Sequence, residues 1–483
     1  MDEPATTRGL TLPGRSVRWW SRVAWWFVPA VVFLCVTLPH LDQGAFRKDT
    51  GRYGAVGLQM WRTGEFWTPY LQPDTLYFNK PPLGFWIHGA SLHALGVGVW
   101  QARLPTVLAG LGIVLLIGAI VRRFANRTRA LAAGVILATT LEFFRRTKEI
   151  SLDMWQALFV FAAVWCVCVA VTSKRSVRAH TLWFSLAGAA IGLALMSKPL
   201  TGLVAIPVLG VWMVAFGSAR RVGWLTLSAL VAVLVAAPWH LSMASIHGEA
   251  FTGGYFGAEV ADRASGRIST KPWWFYFKEM GSHHWPWLIA AVGGLIGWAI
   301  HFPRGFGRID RRGLALGVVW SVCWLVLLTA FPDKRPRYGL MFYPTLAIVS
   351  AVWLFDVVPA RTRRGLVRAS PVIVGCAVIG AAVFAVLPVR VNRPADPGFE
   401  AATAWMLEHP ERVVMVGEIE SNDNGRLYLL AGRWAQREGG AAHPEAPDDA
   451  AWVWVDYGAT RAVLPEGHAV ILESGAVRLT ERR

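Results

Sequence analysis

Negative charge is scarce in this chain. Its 483 residues include 31 Asp and Glu against 48 Lys and Arg, and charged residues make up only 16%. Soluble domains average about 25% charged, so the composition argues against a water-soluble enzyme, a disordered tail or a fibre. Cysteine is sparse as well. Cys35, Cys166, Cys168, Cys323 and Cys376 each lie in an apolar run. Cys166 and Cys168 have one residue between them, not two, and all five read as small buried apolar groups rather than disulfide or zinc ligands. The His283-His284 pair lacks the His-x-x-x-His or His-x-x-Glu-His spacing of a metal site. It reads as an interface pair beside Trp285-Pro286-Trp287. Neither glycine-rich nucleotide-binding loop is present.

Apolar length is what the chain has. Hydrophobic residues make up 54%, there are 26 Trp, and mean hydropathy is +0.40. About eleven runs reach bilayer-spanning length. They lie near 23–39, 104–121, 129–144, 153–172, 181–196, 199–216, 223–242, 286–302, 313–330, 338–357 and 369–388. The first follows Arg15, Arg18 and Arg22 but has no small-residue cleavage site, so it reads as a helix and not a signal peptide. With eleven crossings, the clusters at Arg15–Arg22, Arg122–Arg129, Lys174–Arg178, Arg220–Arg221, Arg304–Arg312 and Arg361–Arg368 all fall on one side. Basic loops mark the cytoplasmic face, which predicts N-in, C-out topology. It also accounts for the net charge of +17 without nucleic acid.

The expected fold is an all-α polytopic membrane protein with a small soluble α/β domain at its C-terminus. Residues 1–390 form the transmembrane domain, with long outer segments at 40–103 and 243–285. Residues 391–483 form the small domain. Val413–Val416, Leu427–Leu430, Trp452–Val455 and Val470–Leu472 read as its strands, and Phe399–Leu407 as a helix.

The spans hold few acids, unlike those of a pump or channel. Charges gather at the outer ends instead: Asp49, Arg52, Lys80, Asp153, Arg263, Lys271 and Lys334. Such a set suits an anionic lipid headgroup reacting at the interface. Moving a sugar off a lipid phosphate requires cations on the leaving phosphate and a carboxylate to orient or deprotonate the acceptor. Arg52, Lys80, Arg263 and Lys334 are the candidate phosphate ligands. Simpler roles stay open: Asp153 as a helix cap, Lys80-Pro81-Pro82 as a rigid turn, Lys334, Arg335 and Arg337 as interface anchors.

At these residues a resemblance emerges. Asp49-x-x-Arg52-Tyr53, Tyr77-Phe78-Asn79-Lys80-Pro81, Ile150-Ser151-Leu152-Asp153, Ser197-Lys198-Pro199, Pro272-Trp273-Trp274 and Lys334-Arg335-Pro336-Arg337-Tyr338 follow one another in this order. The ordered set resembles the aminoarabinose transferases, GT-C glycosyltransferases akin to the protein O-mannosyltransferases. The resemblance spans about residues 20–390. It implies an inverting transferase that uses a polyprenyl-phosphate sugar at the outer face of the cell (inner or plasma) membrane. Asp49 would then be the catalytic carboxylate and Asp153 a second pocket carboxylate. Arg52 and Lys80 would hold the donor phosphate, with Tyr53, Tyr77 and Tyr338 lining the pocket. The aminoarabinose enzymes carry Glu before the loop Lys and His after a second-loop Glu. Here Asn79 and Val260 stand at those places, so no metal ligands are assigned, and whether a divalent ion assists stays open. The partners expected are a polyprenyl-phosphate sugar and a lipid, glycan or protein acceptor, with no nucleic acid. The alternative is a polyprenyl-phosphate transporter or flippase, which should show charged or broken helices at mid-membrane.

Overall fold

In a computed structural model, the structure describes residues 15–43, 46, 48–72, 75–172, 176–198, 201–216, 218–261, 265, 270–301, 311–357 and 360–387, and, beyond these, residues 401, 405, 408–409, 413–416, 434–436, 452–457, 468–474 and 477–482. The protein is mostly helical. Among the described residues, five helical segments are long and apolar enough to cross a membrane: Val99–Phe124, Leu152–Thr172, Val177–Ser197, Ala219–Gly257 and Arg312–Ala330. Shorter apolar helices lie at Arg22–Thr37, Thr201–Ala215, Trp287–Gly297, Tyr343–Leu354 and Val374–Val386.

Helix α1 (Arg15–Thr37) leads into the segment expected to lie on the outer side, which is folded rather than a loop. It contains α2 (Lys48–Thr63), an antiparallel hairpin of β1 (Tyr70–Gln72) and β2 (Thr75–Leu76), and α3 (Leu83–Leu95). Helices α2 and α3 cross backbone to backbone at two glycines. A Cβ on Gly57 would lie 2.4 Å from the Phe85 carbonyl oxygen, and one on Gly89 would lie 2.2 Å from that of Gly57. Only glycine permits that approach.

The central pair is α4 (Val99–Phe124) and, later in the chain, α7 (Leu152–Thr172). Two bonds fix their parallel register: Ser151 N donates to Thr106 Oγ1 at 3.1 Å, and Arg123 Nε donates to Thr172 Oγ1 at 2.6 Å. The run expected as one span at 129–144 is instead two helices, α5 (Arg127–Ala138) and α6 (Leu141–Thr147). The break falls at Thr139-Thr140, whose hydroxyls turn back onto the Val135 and Ile136 carbonyls. Threonine hydroxyls compete in this way with the helical ladder.

Helix α8 (Val177–Ser197) returns beside α7. A 3₁₀ turn, Thr201–Val204, then leads into α9 (Ala205–Ala215). Helix α10 (Trp224–Thr252) outruns its expected span and bends at Gly248, where φ is 50°. A π-helical turn, Gly253–Ala261, continues it. After α11 (Phe275–His283) come α12 (Trp287–His301) and α13 (Arg311–Ala330). A 3₁₀ turn (Pro336–Met341), α14 (Tyr343–Val357) and α15 (Ala360–Val386) follow. Helix α7 is buried along most of its length, and its Phe161 ring lies 5.7 Å from that of Trp320 on α13.

Among the described residues of the C-terminal region, five strands form one sheet in the order β4-β3-β5-β7-β6. They are β3 (Val413–Val416), β4 (Trp434–Gln436), β5 (Trp452–Tyr457), β6 (His468–Ser474) and β7 (Val477–Arg482). Strand β3 runs parallel to β4 and β5, and β7 is antiparallel to β5 and β6. Leu427–Leu430 lies outside the described residues.

Candidate active site

Three segments far apart in sequence meet at the start of α7. Asp153 is buried, and its Oδ1 accepts from Lys198 Nζ, while its Oδ2 lies 3.7 Å from Arg337 Nε. The cap of α7 is Ser151, whose Oγ accepts from Met154 N at 3.2 Å. Asp153 is therefore not needed as a cap, and its carboxylate is turned toward the cations. Helices α7 and α8 form an antiparallel pair of equal length, which returns Lys198, just past the end of α8, to the level of Asp153. Gln156, one turn along α7, secures this junction. Its Nε2 donates to Thr201 Oγ1 at 2.6 Å and to the Lys198 carbonyl at 3.3 Å. The 3₁₀ turn that opens with Pro336 delivers Arg337 and Tyr338 from the other side, and Lys198 Nζ sits 4.2 Å from the centre of the Tyr338 ring.

Lys80 completes this cluster. It is buried, donates to the Asn79 carbonyl at 2.8 Å, and acts electrostatically on Asp153 together with Lys198 and Arg337. The layer of α2 and α3 holds it there. Tyr53 and Tyr77 are buried against Phe85, with ring centres 6.0 and 5.9 Å away, in one apolar cluster with Ile150 and Leu152. Asp49 lies in the first turn of α2, and its side chain is outside the described residues. Arg52, one turn on, is half-buried. Arg263 lies outside the described residues, as do the side chains of Glu259 and Val260.

Lys334 is buried, and its amine donates to the carbonyls of Phe331 at 2.6 Å and Lys271 at 3.2 Å. It straps Lys271 to the end of α13. Among the described residues, no three His, Cys, Asp or Glu side chains gather to hold a metal.

A second charged cluster, which sequence reading missed, adjoins the first. Glu142 is fully buried and takes two bonds from Arg146, whose Nη1 also reaches Glu149 at 3.3 Å. Arg145 lies 3.8 Å from Glu142 and donates to His283 Nε2 at 2.8 Å. His283 in turn bonds Glu279 at 3.2 Å. The two histidines are set differently: His284 is fully buried and faces Tyr343, and burial pushes its pKa down to about 4.

Comparison with known proteins follows the same lines. The family model described as dolichyl-phosphate-mannose-protein mannosyltransferase matches residues 79–241. The chain is similar to the undecaprenyl phosphate-alpha-4-amino-4-deoxy-L-arabinose arabinosyl transferases. The one from Pectobacterium carotovorum is 27% identical over 338 residues, 68% of this chain and 59% of that protein. The one from Edwardsiella ictaluri is 29% identical over 344 residues, again 68% and 59%. The chain therefore spans about three-fifths of the length of these relatives. In structure it is similar to ArnT from Cupriavidus metallidurans bound to undecaprenyl phosphate, with a TM-score of 0.70 at 19% identity. That match covers 98% of this chain and 99% of the other. The Archaeoglobus fulgidus oligosaccharyltransferase matches at a TM-score of 0.58 and 13% identity, over 86% of this chain and 64% of the other. The resemblance read from the ordered motifs is the one these comparisons find. The fold is that of the ArnT structure.

Lys198 had a legible signal. A charged residue 45 positions after Asp153, at the end of the next helix of a hairpin, must return to the same end of the bundle. Glu142 gave less warning, because the apolar average over its segment conceals a single acid.

Proposed function

We propose that this chain is a membrane glycosyltransferase that takes a sugar from a polyprenyl-phosphate donor. It passes the sugar, with inversion, to a lipid, glycan or protein acceptor on the outer face of the cell membrane. The observation that carries this reading is the gathering of Lys80, Lys198 and Arg337 near the carboxylate of Asp153. Several buried cations converging on one place suit an anion. A lipid-linked phosphate supplies one.

In this reading the acceptor oxygen attacks the anomeric carbon as the bond from that carbon to the phosphate oxygen breaks. The electron pair leaves with the polyprenyl phosphate. Lys80, Arg52 and the Lys198–Arg337 pair take up the growing negative charge, and donors of this kind contribute about 3 kcal/mol each where water is excluded. Asp49 accepts the proton of the acceptor hydroxyl, or orients an acceptor that is already ionised. Asp153 holds Lys198 and Arg337 in place, and Tyr338 supports the Lys198 ammonium from beneath. The ring packing of Tyr53 and Tyr77 fixes the position of the Lys80 loop.

The orientation belongs to the same proposal. Eleven crossings with six basic clusters on the cytoplasmic side would set α2, α3 and the start of α7 at the outer face. Residues 391–483 would then form an outer domain built on the five-stranded sheet.

The test is release of undecaprenyl phosphate from undecaprenyl phosphate–aminoarabinose by the full chain in proteoliposomes, with a host membrane extract supplying acceptors. Release above the protein-free control is expected, as is its loss in Asp49→Asn with insertion unchanged. Equal release by the variant would refute the assignment.

A further inference from the structure

A second site lies at the opposite end of the bundle. A cavity of about 440 Å³ opens between α1 and the turn from α4 to α5, within the roughly 300–1,000 Å³ range of small-ligand sites. Its register relative to the Asp153 cluster follows from the two bonds between α4 and α7. Thr106 lies beside Ser151 at one end and Arg123 beside Thr172 at the other. The intervening turns of α4 separate the two sites by roughly 25 Å.

The wall is of two kinds. Trp25 and Leu131 give an apolar side, and Arg122, Arg127 and Thr128 a polar one. No acid lines it. Neither Arg122 nor Arg127 has a side-chain hydrogen bond or ion pair among the described residues, whereas Arg123 between them is committed to Thr172. Asn126 is committed too, its Oδ1 capping α5 at Arg129 N. A basic bias at one end of a helical bundle accounts for arginines on that surface. It does not account for two unpaired guanidiniums on one concave wall facing an indole. That combination matches a phosphate group that carries an apolar body, since guanidinium binds phosphate in a fork and the tryptophan side accepts hydrocarbon.

We propose that this cavity binds a phosphate-bearing anion, with Arg122 and Arg127 as its ligands, separately from the site around Asp153. The phosphate can come from a membrane phospholipid or from solution, and the experiment separates these sources. Native mass spectrometry of the full chain in detergent would be run with dioleoyl phosphatidylglycerol, with dioleoyl phosphatidylcholine and, in another arm, with inorganic phosphate. The expected result is about tenfold tighter retention of the anionic lipid than of the zwitterionic one. That preference should vanish in Arg122→Gln/Arg127→Gln and persist in Arg178→Gln/Arg220→Gln, which removes two charges from the same end outside the cavity. Displacement of the lipid by equimolar inorganic phosphate would support the site and make a soluble phosphate its occupant. Should the double variant melt early, each single variant is expected to lose part of the preference, and Arg122→Lys/Arg127→Lys to keep most of it. Wild-type binding of both probes by the folded cavity variant, or an equal loss in the control variant, would overturn the proposal.

Discussion

Two buried charge clusters adjoin each other in this molecule, and they are built on opposite terms. Around Glu142, one guanidinium is shared by two carboxylates, with Arg145 at the rim. Around Asp153, one carboxylate is bonded by Lys198 and faced by Arg337, with Lys80 acting on it electrostatically. The first balances its charge among its own side chains, as a buried structural pair must. The second gathers several cations at one carboxylate, in a fold similar to that of a protein crystallised with undecaprenyl phosphate. The first reads as a brace, and the second as a binding site.

The comparison can be broken from either side. Glu142→Gln should have the largest effect on stability. Removing one partner of a buried pair costs about 3–5 kcal/mol, so thermal unfolding in detergent should come much earlier while turnover per folded molecule stays near wild type. Lys198→Met should do the reverse. Its unfolding should come only modestly earlier, because Arg337 still faces Asp153, but sugar transfer should fall about a hundredfold through loss of one donor to the leaving phosphate. If the two variants exchanged these signatures, the distinction between brace and site would fail. Gly57→Ala sharpens the point about position. Its Cβ would press on the Phe85 carbonyl, prising α2 from α3 at a cost of about 1–3 kcal/mol. Lys80, carried on the chain leading into α3, should then lose donor affinity without being altered itself. Lys334→Met should have the smallest effect. It removes a strap to two carbonyls, worth about 1 kcal/mol, and should leave donor affinity unchanged in a titration with undecaprenyl phosphate.

Much of this arrangement was legible in the residues. Helices stand at each apolar run, because long apolar stretches leave few other ways to satisfy a backbone. Asp49-x-x-Arg52 and Lys80-Pro81-Pro82 pointed to α2 and to the approach to α3, and the ordered motifs pointed to the fold of the ArnT structure. The meeting of Asp153 with Arg337 was not legible. It depends on a 3₁₀ turn 184 positions later reaching the same end of α7, and no local pattern encodes that reach. Lys334 and Arg337 look alike in sequence, two cations in one motif. Packing alone gives the first to carbonyls and the second to a carboxylate. The folding of the segment between α1 and α4 was hidden for another reason. Helices α2 and α3 meet through glycines, and glycine in sequence reads as a loop former.

The central claim is that the cations gathered near Asp153 hold a lipid-linked phosphate. Native mass spectrometry with undecaprenyl phosphate tests it most directly, comparing the wild-type chain with Lys80→Ala and Glu142→Gln. The account predicts a bound lipid in the wild type and in the folded fraction of Glu142→Gln, and its loss in Lys80→Ala. Equal binding by all three, or by none, would contradict it.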